Sequence, residues 1–198
     1  MREVKRAGSR KTLNAPNLVA LGAERLAAVL MDVADGDPSL KRRLRMELAS
    51  EVGADHLATE IAKRLTAIED RRSRVHWRSY KAFARDLELQ RSMIVGPLAE
   101  KDAGLALQFL WRFLGMAEGL ANLVDDGRGQ VEEAFRAGVA AAGDIVARAH
   151  PEPLALAEQV ADLLETDSDQ VLGDLVTTLV PVLDAAGLAA LRARLQQL

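Results

Sequence analysis

The sequence predicts an all-α protein, built as an irregular stack of antiparallel helical hairpins. This is a right-handed α-α superhelix similar to TPR or HEAT proteins. The strong helix formers Ala, Leu, Glu and Arg dominate the 198 residues, and no alternating Val, Ile, Thr or Tyr run indicates a strand. About eight to nine amphipathic segments follow one another with short connections, which favours antiparallel packing of neighbours. No repeat of roughly 34 or 40 residues is visible, so a compact bundle stays an alternative.

The chain is expected to form a flexible basic N-terminal arm, residues 1–12, and a single all-helical domain, residues 13–198. The arm contains no apolar periodicity. The last apolar stripe runs to Leu198 without a polar tail, whereas stacked helical proteins need a polar end. Two explanations stay open: either this is the N-terminal part of a longer protein, or Leu198 packs against another subunit.

Capping residues place the first helices. Asn14 can cap a helix whose first turn contains Pro16, and Gly22 is a break within that segment. In the Asp-Gly-Asp-Pro sequence at residues 35–38, the glycine is predicted to end one helix in the left-handed conformation. The second aspartate then caps the next helix and the proline opens it.

Apolar spacing defines the next three helices. The second helix is predicted to reach about Val52 and to carry Leu40, Leu44 and Leu48 on one face. The third helix begins after Gly53 and its stripe is Leu57, Ile61, Leu65 and Ile68. The fourth has the stripe Trp77, Tyr80, Phe83 and Leu87, and Gly96–Pro97 is expected to end it near Val95.

The fifth predicted helix, about Ala103 to Val124, is apolar on more than one face, which places it at the centre of the core. A sixth, Ala-rich helix spans about Gln130 to Ala149, and a seventh spans Leu154 to Glu165. An eighth starts after Ser168–Asp169, and Pro181 ends or kinks it. The final stripe consists of Leu188, Leu191, Leu195 and Leu198.

Composition excludes several classes of protein. Hydrophobic residues make up 49% of the chain and the net charge is only -3, which excludes a disordered chain. No stretch approaches the ~18 uncharged apolar residues of a membrane span, and the basic N-terminus lacks the apolar core of a secretory signal. We therefore expect a cytoplasmic protein with no membrane partner. The absence of Cys excludes disulfides and Cys-based metal sites.

No arrangement of reactive side chains indicates catalysis. His56, His76 and His150 lack the helical spacing that brings metal ligands together. Asp125–Asp126 and Glu132–Glu133 are explained as helix-terminus residues, with Asp126 as a cap. Ser and Thr lack an activating motif, and no phosphate-binding loop occurs. We therefore expect no metal, no cofactor and no enzymatic activity.

The charge is unevenly distributed along the chain. Residues 1–100 carry 19 Lys and Arg against 14 Asp and Glu, whereas residues 101–198 carry 7 against 15. The two halves therefore have net charges of +5 and -8. Such a dipolar surface can orient a partner, or a second copy of the chain head to tail.

A basic-aromatic tract at residues 71–85 has two interpretations. Cations beside planar side chains can contact phosphates and stack on unpaired bases. Alternatively, the aromatic residues form a core stripe and the cations the solvated face, and the acidic C-terminal half would repel phosphate. The candidate nucleic-acid or anion contacts are Arg71, Arg72, Arg74, Trp77, Arg78, Lys81 and Arg85.

Two stretches carry a resemblance to a known group of proteins. They are residues 17–49 (NLVALGAERLAAVLMDVADGDPSLKRRLRMELA) and residues 110–135 (LWRFLGMAEGLANLVDDGRGQVEEAF). The chain resembles an uncharacterised, mainly α-proteobacterial family, and the helical region that accompanies SWIM-type zinc fingers. The resemblance implies a TPR-like architecture and no catalytic residues. The Cys/His zinc motif is absent from this sequence, which weakens a SWIM-linked nucleic-acid role.

These observations lead to two functional expectations. The first is a non-enzymatic scaffold that mediates protein–protein interaction or self-association, because helical hairpins offer grooves for peptides and helices. The alternative is a nucleic-acid-associated regulatory protein that uses the basic arm and residues 71–85.

Overall fold

The computed structural model describes residues 12–168 and 170–196, and this part of the chain is helical with no β-strand. The helices are α1 (Ala15–Val19), α2 (Ala23–Gly36), α3 (Pro38–Val52), α4 (Ala54–Glu69), α5 (Tyr80–Met93), α6 (Ala99–Lys101), α7 (Ala103–Leu114), α8 (Ala117–Ala121), α9 (Gln130–Ala149), α10 (Pro153–Thr166), α11 (Leu175–Leu179) and α12 (Ala185–Leu195). A π-helical turn spans Ile94–Leu98, and a 3₁₀ turn spans Val180–Val182. The all-α prediction is confirmed.

Some predictions fall on other parts of the chain. Apart from Thr12, the N-terminal arm lies outside the described residues, as do Asp169 and Leu198. The right-handed superhelix and the single domain over residues 13–198 stay predictions. The chain divides into two compact units between Leu44 and Arg45, within α3.

The first unit begins as the capping residues predict. The Asn14 side chain accepts the backbone N–H of Asn17 at 2.9 Å, and Gly22 separates α1 from α2 with a φ of 84°. Asp37 accepts the N–H groups of Ser39 and Leu40 at 2.8 and 3.2 Å, so it caps α3.

One prediction for this junction is wrong, since Gly36 does not have a positive φ. It is the last residue of α2, and the chain leaves the helix at Asp37, whose φ and ψ of -129° and 100° are extended. The capping aspartate therefore provides the turn that was assigned to glycine.

The second unit contains a continuous apolar core. The predicted α4 stripe is confirmed, because Leu57, Ile61, Leu65 and Ile68 are all buried. α7 is buried on several faces, as predicted, and the Phe113 ring packs on that of Phe135 with centroids 4.9 Å apart. α9 packs against α5, α7 and α11, and α10 packs against α12.

The close approach of α11 to α9 depends on one glycine. A Cβ at Gly143 would lie only 2.9 Å from the carbonyl oxygen of Thr178. The two segments therefore meet through main-chain atoms, as the small residues of the predicted sixth helix allow.

Two predicted helices are broken differently from expectation. Gly96–Pro97 does not end the fourth helix, since α5 continues through the π-helical turn into α6 at Lys101. The wider turn accommodates a proline that lacks the N–H of a regular helical hydrogen bond. The fifth predicted helix is divided near Gly115 into α7 and α8.

Two predicted apolar stripes and the eighth predicted helix also differ from the structure. In α3, Leu48 is exposed, whereas Met46 and Ser50 are buried. The eighth predicted helix reduces to α11, and Pro181 lies in the 3₁₀ turn that follows it. In α12, Leu191 is buried and Leu188 is partly exposed.

Among the described residues, no helix has both the length and the apolar character needed to cross a membrane.

Candidate functional site

The basic segment, residues 71–85, joins the end of α4 to the first half of α5. Its middle is fixed at Val75, which is buried and donates its backbone N–H to the Leu123 carbonyl at 2.8 Å. Tyr80, at the start of α5, is also buried, and its hydroxyl donates to the Asp126 carboxylate. The residues between these two anchors form a short exposed turn.

Asp126 connects this segment to α9. Its carboxylate accepts the backbone N–H groups of Val131 and Glu132 at 3.1 and 2.8 Å, so its predicted role as a helix cap is confirmed. The backbone N–H of Gln130 donates to the Tyr80 hydroxyl oxygen at 3.2 Å. Burial raises the pKa of Tyr80, and the hydrogen bond to Asp126 raises it further.

Trp77 lies on the exposed turn, with 74% of its surface accessible to solvent. The Arg78 guanidinium lies 5.1 Å from its ring centroid, and the His76 ring lies 5.7 Å away. The prediction that Trp77 continues the core stripe of Tyr80, Phe83 and Leu87 is therefore wrong. Those three residues are buried, but α5 begins only at Tyr80.

The cations of the segment fall into two groups. Arg71 lies 5.6 Å above the Phe83 ring and donates to the Ser73 carbonyl, and Arg72 donates to the Glu69 carbonyl at 3.1 Å. These two side chains stabilise the connection itself. The other cations are exposed and form no ion pair with a carboxylate of residues 12–168 or 170–196; they are Arg74, Arg78, Lys81 and Arg85.

The structure therefore places five of the seven candidate residues on the connection between α4 and α5 and the other two, Lys81 and Arg85, in the first half of α5, and it shows direct contact between Trp77 and Arg78. The arrangement offers an exposed aromatic ring beside unpaired positive charge. Such a surface can stack on a base or ring and attract a phosphate.

The histidines are separated in the fold. His56 is exposed in the first turn of α4, His76 stacks near Trp77, and His150 ends α9 with a φ of 47°. In the described part of the chain, no three His, Asp or Glu side chains form a group that could hold a metal ion.

A second candidate surface was not recognised from the sequence. In α2, the side chains of Val29, Leu30, Met31 and Val33 are between 42% and 56% exposed. Ala34 is the buried residue of this helix. The signal was present in residues 26–34, LAAVLMDVA, where Asp32 is the single charged residue among large and small apolar ones. We call these four exposed side chains the α2 apolar surface.

The comparisons with known proteins agree with the coarser part of the resemblance. The model of a family of unknown function, DUF6880, matches residues 8–198. No curated protein and no solved structure matches the chain. Because the family match covers nearly the entire sequence, the chain belongs to this family of unknown function.

Proposed function

We propose that the protein is a non-enzymatic helical scaffold that binds a protein partner through the α2 apolar surface. The observation that carries the proposal is the exposure of four large apolar side chains within five residues of one helix, Val29, Leu30, Met31 and Val33. Contiguous apolar patches on a protein surface mark interaction sites, whereas single exposed apolar residues are ordinary.

A second copy of the chain is the partner that the charge distribution favours. The halves of the sequence carry net charges of +5 and -8, and segments of opposite charge on two copies of the chain attract each other. The apolar surface would supply affinity, and the charges would supply orientation.

Light scattering on the full chain tests this proposal. We expect the wild type to have a mass above that of one chain and to dissociate on dilution. Met31→Glu should shift the protein to the monomer, because a charge would be buried in the interface. Leu154→Glu is the matched control, since Leu154 is 58% exposed and Met31 is 56% exposed.

A wild type that is monomeric at every concentration would contradict self-association. Equal effects of the two substitutions would also contradict it. If Met31→Glu instead lowers the melting temperature of a monomer strongly, the α2 apolar surface is covered within the chain itself.

The second candidate function is binding of single-stranded nucleic acid by the basic segment. The specific observation that favours it is the exposed Trp77 ring beside Arg78. Stacking of one base on an aromatic ring contributes ~1–3 kcal/mol. An α-proteobacterial origin, a cytoplasmic location and a relation to the helical regions that accompany SWIM-type zinc fingers belong to this proposal, although the zinc motif itself is absent from the sequence.

A salt-titrated binding assay with a fluorescent single-stranded oligonucleotide separates the two functions. Trp77→Ala should weaken binding at least tenfold at low salt, and affinity should fall with salt. Lys63→Ala is the control, because Lys63 is an exposed cation of α4 that pairs with Glu60. No binding by the wild type at low salt would eliminate this candidate.

A further inference from the structure

A cleft of about 650 Å³ opens between α7, the end of α9 and α10. Its volume lies within the range of small-molecule sites, ~300–1,000 Å³. Leu107, Trp111 and Pro151 supply apolar walls, and Gln108, Glu158 and Gln159 supply polar groups. This combination of a mostly apolar lining with a few polar side chains is typical of ligand pockets.

Trp111 gives the cleft an aromatic wall with an available donor. The side chain is only 8% exposed, and it lines the cleft. Within residues 12–168 and 170–196 its indole N–H donates no hydrogen bond. The protein does not enclose this N–H, so water reaches it and a molecule that enters the cleft can accept its hydrogen bond.

The charges beside the cleft are predominantly negative. Glu158 accepts a hydrogen bond from Arg194 at 2.9 Å, and Arg194 also lies 3.8 Å from Asp162. The pKa of Arg194 is raised, first by the hydrogen bond to Glu158 and then by the charges of Asp162 and Glu165. One guanidinium thus lies beside two carboxylates, and the charged residue that lines the cleft is Glu158.

We propose that this cleft binds a small molecule that contains an aromatic ring and a positive charge. The ring lies against Trp111 and Leu107, where it leaves water. The cationic group lies near Glu158 and the Trp111 face, both of which attract a cation. The two glutamines provide hydrogen bonds that fix its orientation.

Three probes with the same ring test this site: phenethylamine (a cation), 2-phenylethanol (neutral) and phenylacetate (an anion). The chain has two Trp residues, so Trp77→Phe leaves Trp111 as the sole source of the indole N–H signal in a proton NMR spectrum. We expect phenethylamine to shift this signal with a dissociation constant near ~1 mM, as fits a small fragment. Phenylacetate should bind about fivefold more weakly, since an exposed charge contact contributes up to ~1 kcal/mol.

Two variants in the Trp77→Phe background locate the binding. Ala155→Leu should weaken all three probes at least tenfold, because Ala155 lines the cleft at an exposed helical position where leucine can be accommodated. Glu158→Gln should remove the preference for the cation and retain binding of 2-phenylethanol. Glu51→Gln is the matched control, since it makes the same charge change at an exposed position of α3, outside the lining residues and the carboxylates around Arg194.

The proposal is overturned if none of the probes shifts the Trp111 signal. Equal affinity for phenethylamine and phenylacetate would also overturn it, as would an equal effect of Glu158→Gln and Glu51→Gln on the preference. Unchanged circular dichroism and melting temperature for Ala155→Leu would show that lost binding comes from the filled cleft.

Discussion

α2 and α7 both contain a run of large apolar side chains, but those of α7 are mostly buried and those of α2 are mostly exposed. α7 packs against α4, α9 and α10, and it buries Leu110, Phe113 and Leu114 completely. In α2, a run of large apolar side chains is exposed to solvent. The comparison shows that an apolar helix predicts a need for a covering surface, and that the covering surface itself comes from elsewhere in the sequence or from another molecule.

The largest expected effect is in α7. Phe113→Ala should lower the free energy of unfolding by ~3–5 kcal/mol, because it removes a buried ring that packs against Phe135 and leaves a cavity. Chemical denaturation monitored by circular dichroism measures the change. A loss below about 1 kcal/mol would mean that α7 is not the covered helix of this pair.

The second-largest effect is expected at Asp126, whose carboxylate joins Tyr80 of α5 to the first turn of α9. Asp126→Ala should lower the free energy of unfolding by ~2 kcal/mol, because two N–H groups of α9 and the Tyr80 hydroxyl lose their acceptor. The same denaturation experiment applies, with Asp125→Ala as the neighbouring control. Equal losses for the two variants would contradict the capping role.

A smaller effect of opposite sign is expected at Gln90, a fully buried side chain of α5 whose amide oxygen has no hydrogen-bond partner among the described residues. Its amide nitrogen donates to the Met46 sulfur at 3.7 Å. Gln90→Leu should raise the free energy of unfolding by about 1 kcal/mol, because it removes an unsatisfied buried polar group. A destabilised variant would show that the amide has a partner in solution.

The pH dependence of the second unit should depend partly on Tyr80. Burial and the hydrogen bond to Asp126 raise its pKa above the ordinary value of 10.0. The folded state therefore holds the proton more tightly, so this stabilisation is complete below pH 10.0 and is lost as the pH rises through the folded pKa.

The Tyr80→Phe variant has no phenol that can ionise. The difference in free energy of unfolding between the wild type and this variant should therefore become smaller above the folded pKa of Tyr80. The chain contains one Tyr, which allows the phenolate absorbance to report the pKa of Tyr80 directly. A folded pKa at or below the ordinary value would contradict the buried hydrogen bond.

The smallest expected effect is in α2. Val29→Ala should change the free energy of unfolding of the monomer by no more than about 0.5 kcal/mol, because the side chain is 47% exposed. Thermal unfolding of the monomer at low concentration measures it. A loss of unfolding free energy as large as that of Phe113→Ala would show that Val29 is buried in solution, and α2 would then not differ from α7.

The sequence was sufficient for features that depend on neighbouring residues. Asn14 and Asp37 were identified as caps because a cap acts within three residues of its position. The α4 stripe was equally clear, since four apolar residues at helical spacing are buried together.

Features that depend on distant residues could not be predicted. Trp77 continues the spacing of Tyr80 and Phe83, but the bond from Val75 to Leu123 holds the chain out of helical conformation before Tyr80. Similarly, proline was assigned as a helix end at Pro97, where the π-helical turn retains the direction of the chain. The candidate cations were visible in the sequence, whereas the exposure of Trp77 and of α2 depends on tertiary packing.

The contact at Gly143 has a consequence for how sequences of this fold can vary. Because a main-chain oxygen of Thr178 occupies the space of the missing Cβ, no rotamer change can make room for even a methyl group. At position 143 a side chain of any size would therefore meet main-chain atoms of α11. A substitution there must displace the polypeptide of α11, so a glycine at this point is a marker by which the geometry can be recognised in more divergent sequences.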